Sequence, residues 1–259
     1  MYLTAERLAL ANQAILEAFE NTCIAWQTIP HWKTTDPGQT RVPAEKVDGS
    51  ASVQDIDGDT EKFNVTFALA CAPDPDQLIN TLVAKTLALA AKVDGKIIPL
   101  LLQESKTKVT YNESSVDGIL DGLIDARVEA ETSGARAPSC LITDKAGIKK
   151  LNQLISGYSP LESLLTAGNI NTLHRADQLG PGSGGKAARG VLIGRRQRIA
   201  SGEAARASAG EEPVDLVVSV PPTLEVVGEN GDNKIAMTVR IRYALRVKDS
   251  RGVVGLIAP

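Results

Sequence analysis

Aromatic side chains are scarce in this 259-residue chain, at 3% of positions, and there are only two histidines and three cysteines. The core must therefore lean on Leu, Ile, Val and Ala. Cys23, Cys71 and Cys140 are an odd, sparse set without paired spacing, which argues against a disulfide framework and against a zinc site. Buried, reduced thiols are expected instead. His31 and His174 have no partner at metal or triad spacing, and no GxSxG elbow is present, so both read as ordinary surface or capping residues. A strong charge of one sign is also missing. The net charge of −3 and the pI near 5.6 give no overall positive field to recruit nucleic acid. No basic segment followed by an apolar one opens the chain, so no signal peptide is expected. The longest apolar run, residues 82–91, contains Lys85 and is too short to span a bilayer. These absences predict a soluble chain made in the cytoplasm, with no cofactor, no metal and no membrane partner.

What is present is ordinary globular composition, 43% hydrophobic and 23% charged, in a length that suits one large or two smaller domains. The most informative stretch is residues 32–70, close to forty polar, Gly- and Asp-marked positions. Loops beyond ~12–15 residues without structure of their own are uncommon in compact domains. Residues 46–54 and 62–70 have strand character around a turn near Asp57 and Gly58, so the stretch reads as an extended two-stranded arm. Phe63, Val65, Phe67 and Leu69 alternate with Asn64, Thr66 and Ala68, giving the second strand one apolar face that something must cover. A lone hairpin is marginal in water. If its own domain provides no surface, a neighbouring subunit must.

Around the arm the elements alternate. Residues 4–27 carry apolar positions at helical spacing, with Thr4 as cap and Pro30 as terminator. Asp74 and Pro75 open a long helix expected to stop at Gly95, and residues 97–102 continue as an apolar run. A helix follows from Ser115 to about Glu131, then a buried strand over 138–143. Two capped helices follow, the first from Asp144 to Gly157 and the second from the Ser159/Glu162 capping box to Gly168. Strands are expected over 191–200, 214–220 and 224–227. A hairpin turn at residues 229–232 leads into the cleanest strand of the chain, with Met237, Val239, Ile241, Tyr243, Leu245 and Val247 on one side and Thr238, Arg240, Arg242, Ala244 and Arg246 on the other.

No catalytic constellation survives inspection. Residues 180–187 lie one position from the phosphate-loop pattern, but Ala187 replaces the metal-binding hydroxyl and residues 173–179 make a poor buried strand. A surface loop is favoured, with a nucleotide-binding enzyme using Gly180 to Lys186 as a minor alternative. Asp55, Asp57, Asp59 and Glu61 fail the EF-type calcium spacing and read as a solvated turn or as salt links to a neighbour's Arg or Lys. Arg195, Arg196 and Arg198 form a short basic run, read as a solvated strand face or ion-pair partners, with phosphate contact as the minor alternative.

The order of arm (32–70), Pro-opened spine helix (73–94), the stretch GILDGLIDARVEAETSGARAPSCLITDKAGIKKLNQL (118–154) and the ending IRYALRVKDSRGVVGL (241–256) resembles the shell-protein fold of tailed-phage major capsid proteins and bacterial encapsulins, the Hong Kong ninety-seven fold. The resemblance rests on order and texture rather than an invariant motif. It implies an α+β fold divided as N-terminal helix or arm (1–31), E-loop hairpin (32–70), peripheral domain with the spine helix (71–135), axial domain (136–235) and a returning C-terminal strand (236–259). It implies a non-enzymatic shell protein that assembles with itself into pentamers and hexamers of an icosahedral capsid, in a virion built in the host bacterial cytoplasm. Packaged double-stranded DNA held without sequence specificity, and separate scaffolding, portal or decoration proteins, stay open as partners.

On this reading Phe63, Val65, Phe67, Leu69, Asp55, Asp57, Asp59, Arg240 and Arg242 make inter-subunit contacts, and Gly180, Gly182, Gly184 and Gly185 line the capsomer axis. The helix beginning by Thr4 leaves no room for a fused scaffolding segment, which is expected to be absent or encoded separately. That length also suits encapsulins, whereas KVDGKIIPLLLQESK after the spine departs from their acidic and aromatic segment. A phage capsid subunit is therefore preferred, with an encapsulin enclosing a cargo enzyme as the alternative. Relatives that join an E-loop Lys to a neighbour's Asn would use Lys46 or Lys62 with Asn169 or Asn171, but no local pattern supports the pairing, and non-covalent packing is expected. Deleting residues 48–60 is expected to spare the fold and stop shell building.

Overall fold

The computed structural model describes residues 3–47, 49–154, 157–179, 187–196 and 212–259. Thr4 caps α1 (Ala5–Thr22) by accepting from the Arg7 N–H, and Ala11, Ile15 and Phe19 are its buried stripe. The chain breaks at Cys23, restarts as α2 (Ile24–Thr28) and enters β1 (His31–Lys33). β2 (Arg41–Glu45), β3 (Ala51–Asp55) and β4 (Asp57–Thr66) follow, then a short α3 (Phe67–Cys71) capped by Thr66. The spine, α4, spans Asp76–Glu104 and leads into β5 (Thr107–Thr110). After it come α5 (Val116–Thr132), β6 (Ala137–Thr143), α6 (Lys145–Leu151), α7 (Leu161–Ala167) and β7 (Ile170–Arg175). The described chain closes with β8 (Ala188–Arg195), β9 (Val214–Glu229), β10 (Lys234–Val247) and β11 (Val253–Ile257). The α+β class predicted from the sequence is what the elements form.

The strands make two main sheets and a hairpin. Among the described residues the first sheet has the order β1-β9-β10-β4, the second β5-β11-β8-β6-β7, and β2 pairs with β3. One face of the first sheet packs on α1 and α4. Ile235, Met237, Val239, Ile241, Tyr243 and Leu245 of β10 meet Leu78, Leu82, Leu89, Val93, Ile97 and Leu101 of the spine there. One face of the second sheet (Cys140, Ile142, Val191, Ile193, Val253) joins the same core. Its other face is covered by α5, α6 and α7 through Ile119, Leu123, Ala126, Leu151 and Leu164. The sheets thus cut across the expected segments. β9 belongs to the first sheet, whereas α5 and the final strand β11 belong with the second.

The spine outruns its expected stop. At 29 residues it is about 43 Å long by helical rise. Gly95 is exposed with nothing near its missing Cβ, while the next turns bury Ile97, Ile98, Leu101 and Leu102. Tertiary burial overrides a propensity deficit of about 1 kcal/mol. Pro99 sits within the helix, four residues after Gly95, so the carbonyl its ring crowds belongs to the residue with the least backbone constraint. β9 is likewise one strand where two are expected. Pro221 and Pro222 fall in an irregularity of the β9–β10 ladder, between the pairs Arg240–Thr223 and Arg242–Val220, where no strand N–H is required. The turn to β10 is made by Gly231, Asp232 and Asn233, all at positive φ, as the Asn-Gly signal predicts.

Candidate functional site

The arm is organised differently from its sequence reading. The hairpin is β2–β3, with register Arg41–Asp55 to Glu45–Ala51, and the Lys46 N–H bonds the Ser50 carbonyl at its end, so the chain does not turn at Asp57 and Gly58. β4 leaves the arm and pairs antiparallel with β10 along its whole length, from Thr66–Lys234 to Asp57–Tyr243. Its inward face contributes Val65, 1% exposed, to the chain's own core. Phe63 packs on that core too, as do Phe67 and Leu69 from α3, because Thr66 starts a helix and ends the alternation. Of the apolar face expected to await a neighbouring subunit, Val65 is thus buried within the chain, while Phe63, Phe67 and Leu69 are half-buried against its core.

Within the acidic cluster, Asp59 and Glu61 also find partners inside the chain. Asp59, 6% exposed, accepts from the Tyr243 hydroxyl at 2.7 Å and pairs with Lys96 of the spine at 2.5 Å. Glu61 pairs with Lys92. These carboxylates fasten β4 to α4 rather than tipping a loop. The Tyr243 phenol is pushed well above its usual range, first by burial and then by Asp59. Asp55 is exposed and pairs with Arg41 across the hairpin at 2.9 Å, and Asp57 is exposed at the start of β4. Arg240 pairs with Glu225 at 3.1 Å, and Arg242 donates to the Pro37 carbonyl at 3.2 Å. Gly180, Gly182, Gly184, Gly185 and Lys186 lie outside the described residues, as does Arg198. Arg195 is 4% exposed and donates to the Thr28 carbonyl, which removes it from any basic surface, and Arg196 pairs with Asp249 at 2.5 Å. Lys62 is exposed on β4, and Asn169 donates to the Arg136 carbonyl. His31 is half-buried. Its ring lies 3.7 Å from that of Trp26, and burial lowers its pKa to about 4.

The hairpin rests on the outer face of the first sheet. Val42 and Ile56 pack with Val217 of β9 and Ala244 of β10, and Trp32 closes the group. Above them Arg246 places its guanidinium 5.0 Å from the Trp32 ring centre, a cation–π distance. It donates twice to Asp215 at 2.7 Å and once to the Pro43 carbonyl at 2.9 Å. Lys248 donates to the same carboxylate at 2.8 Å. Burial alone would raise the Asp215 pKa, but the hydrogen bonds from Arg246 and Lys248 outweigh it and hold the carboxyl low. Sequence reasoning placed Arg246 on the polar side of β10 and missed its partners. The available signal was Asp215, a lone carboxylate inside an apolar strand.

What the fold leaves uncovered is specific. Every residue of β3 is exposed, with Val53 at 66%. On α5, Ile124 and Val128 stand out at 38% and 54%, one turn apart, beside the exposed row Asp117, Asp121, Asp125 and Glu129. Like charges at four-residue spacing repel, so this face is costly on an isolated helix. No helix among the described residues is long and apolar enough to cross a membrane.

No protein-family model matches the chain, and no curated protein does. Solved structures do. A virus-like particle from Pyrococcus furiosus matches over 97% of this chain and 98% of its own, at a TM-score of 0.69 and 17% identity. A phage-related protein from Bordetella bronchiseptica matches over 95% and 96%, at 0.68 and 10% identity. An encapsulin complex from Synechococcus elongatus matches over 88% and 84%, at 0.57 and 11% identity. The chain has the Hong Kong ninety-seven fold, the fold of phage capsid proteins and encapsulins.

Proposed function

We propose that the chain is a structural shell protein that assembles with copies of itself into a closed icosahedral capsid, and that it serves as the major capsid protein of a tailed bacteriophage enclosing its DNA. The observation that carries this reading is the near end-to-end match to the virus-like particle from Pyrococcus furiosus. The role is structural, with no chemical step. The first sheet with the spine would form the peripheral part of the subunit, and the second sheet with α5 to α7 the axial part.

Contacts between copies would use the surfaces the fold leaves bare, β3 of the hairpin, the outer face of α5 and the exposed Asp55 and Asp57, joined by the half-buried Arg240 and Arg242. Heterologous contacts of this kind close into shells when the rotation between copies permits. Negative-stain microscopy of the purified chain tests the proposal. Closed particles of uniform size support it, and a uniform small oligomer overturns it. The encapsulin match over 88% of the chain supports a second reading, a compartment enclosing an enzyme. Nucleic acid recovered from purified particles supports the phage reading, and a stoichiometric second protein supports the compartment.

A further inference from the structure

A cleft of about 280 Å³ opens where the hairpin turn meets the junction of the two sheets. Lys46 and Val47 of the turn form one wall, and Lys106, Lys248, Asp249, Ser250 and Arg251 form the rest. Its charge is lopsided. Asp249 is fully engaged, accepting from the Arg251 backbone N–H and guanidinium at 3.0–3.1 Å and from Arg196 at 2.5 Å. Asp215 behind it is shared by Arg246 and Lys248, and the fully buried Glu212 accepts from the Arg196 backbone N–H. Lys46 and Lys106 are exposed and have no ion-pair partner among the described residues. Among the residues lining the cleft, Lys46, Lys106, Lys248 and Arg251 thus outnumber Asp249.

We propose that this cleft is a binding site for a phosphate-class oxyanion, held by Lys46, Lys106, Lys248, Arg251 and the Ser250 hydroxyl. Ammonium groups converging from separate chain segments suit a multivalent oxyanion, for which lysine acts as a point-charge ligand. The volume is ample for a phosphate group. Burial draws the Lys248 pKa down against the pull of Asp215, and an anion bound beside it would favour its charged form. The Val47 N–H bonds the Lys248 carbonyl at 3.0 Å, so a phosphate touching both Lys46 and Lys106 would fasten the hairpin turn to the body. The site does not depend on the shell proposal.

Two sources carry this chemistry, free phosphate and the phosphodiester of a nucleic acid. Calorimetric titration of the 259-residue chain at low salt with inorganic phosphate, and separately with a short mixed-sequence single strand, tests the site and distinguishes them. Saturable phosphate binding is expected, weakened about tenfold or more in Lys106→Ala and in Ser250→Ala and unchanged in Lys33→Ala, an exposed lysine away from the cleft. A strand that competes with phosphate and loses affinity in Lys106→Ala identifies the phosphodiester as the ligand. A strand that does not compete identifies the free ion. Absence of saturable phosphate binding, or equal weakening by Lys33→Ala, overturns the proposal.

Discussion

Arg246 grips the buried carboxylate of Asp215 with two hydrogen bonds of 2.7 Å, and its remaining nitrogen holds the Pro43 carbonyl at 2.9 Å. One side chain thereby joins β9, β10 and the hairpin. Arg246→Lys keeps the charge but loses the planar fork and the stacking over Trp32. We expect a loss of about 2–3 kcal/mol in urea unfolding and faster amide exchange across residues 41–45. Unchanged exchange there would show that the hairpin is held by Val42 and Ile56 alone.

Two carboxylates give opposite pH dependences. Asp215 is held low by Arg246 and Lys248 against the effect of burial. Its stabilising contribution is therefore complete above the unfolded pKa of about 3.9 and is lost as pH falls through the lower folded value. Asp94, on the spine, accepts from the N–H groups of Ile24 and Ala25 at 3.0 and 2.8 Å and from the Cys23 thiol. Burial raises its pKa more than those bonds lower it. Its contribution is greatest below about pH 3.9 and declines as pH rises through the raised value. Asp94→Asn removes that decline, so its stability relative to wild type is expected to improve as pH rises from 4 towards neutrality. A constant difference across urea titrations at several pH values would contradict this.

Gly95→Ala is expected to stabilise the subunit. The position is exposed and helical, and an added Cβ meets nothing within 4 Å. Relief of backbone entropy is worth about 0.5–1 kcal/mol, a rise of roughly 2–4 °C in melting temperature per kcal/mol at this size. A fall in melting temperature would mean that Gly95 is needed to seat Pro99.

Much of the architecture was legible because its signals are local. The Thr4, Ser115 and Asp144 caps, the Gly231 turn and the period-2 face of β10 are written within a few residues of where they act. The arm was misread because its decisive partner lies far away in sequence. Nothing between Asp57 and Thr66 says that β10, some 170 residues on, supplies the ladder that turns an apparent hairpin strand into a sheet edge. The spine's true end was hidden for the same reason, since burial of Leu101 and Leu102 depends on sheets formed later in the chain. The site fared worse than the fold. Asp59 and Val65 share one period-2 face of β4, and both face inward, so the carboxylate read as part of a solvated turn is buried beside the core.

The corrected hairpin changes the test of assembly. Deleting residues 48–60 would remove Ile56 and Asp59 and cut into β4, so loss of shells would follow from damage to the fold. Val53→Lys instead alters one residue that is 66% exposed. Such surface changes usually stay within about 0.5 kcal/mol. The variant is expected to melt like wild type and to form far fewer particles by microscopy. Normal particle yield would remove β3 from the contact between copies.

The most direct test of the account is light scattering on the chromatographed wild-type chain. The account predicts a mass far above the 27.4 kDa of one subunit, in a narrow peak belonging to a closed shell. A peak at the mass of a monomer or a small oligomer, under conditions where the chain is folded, would contradict it.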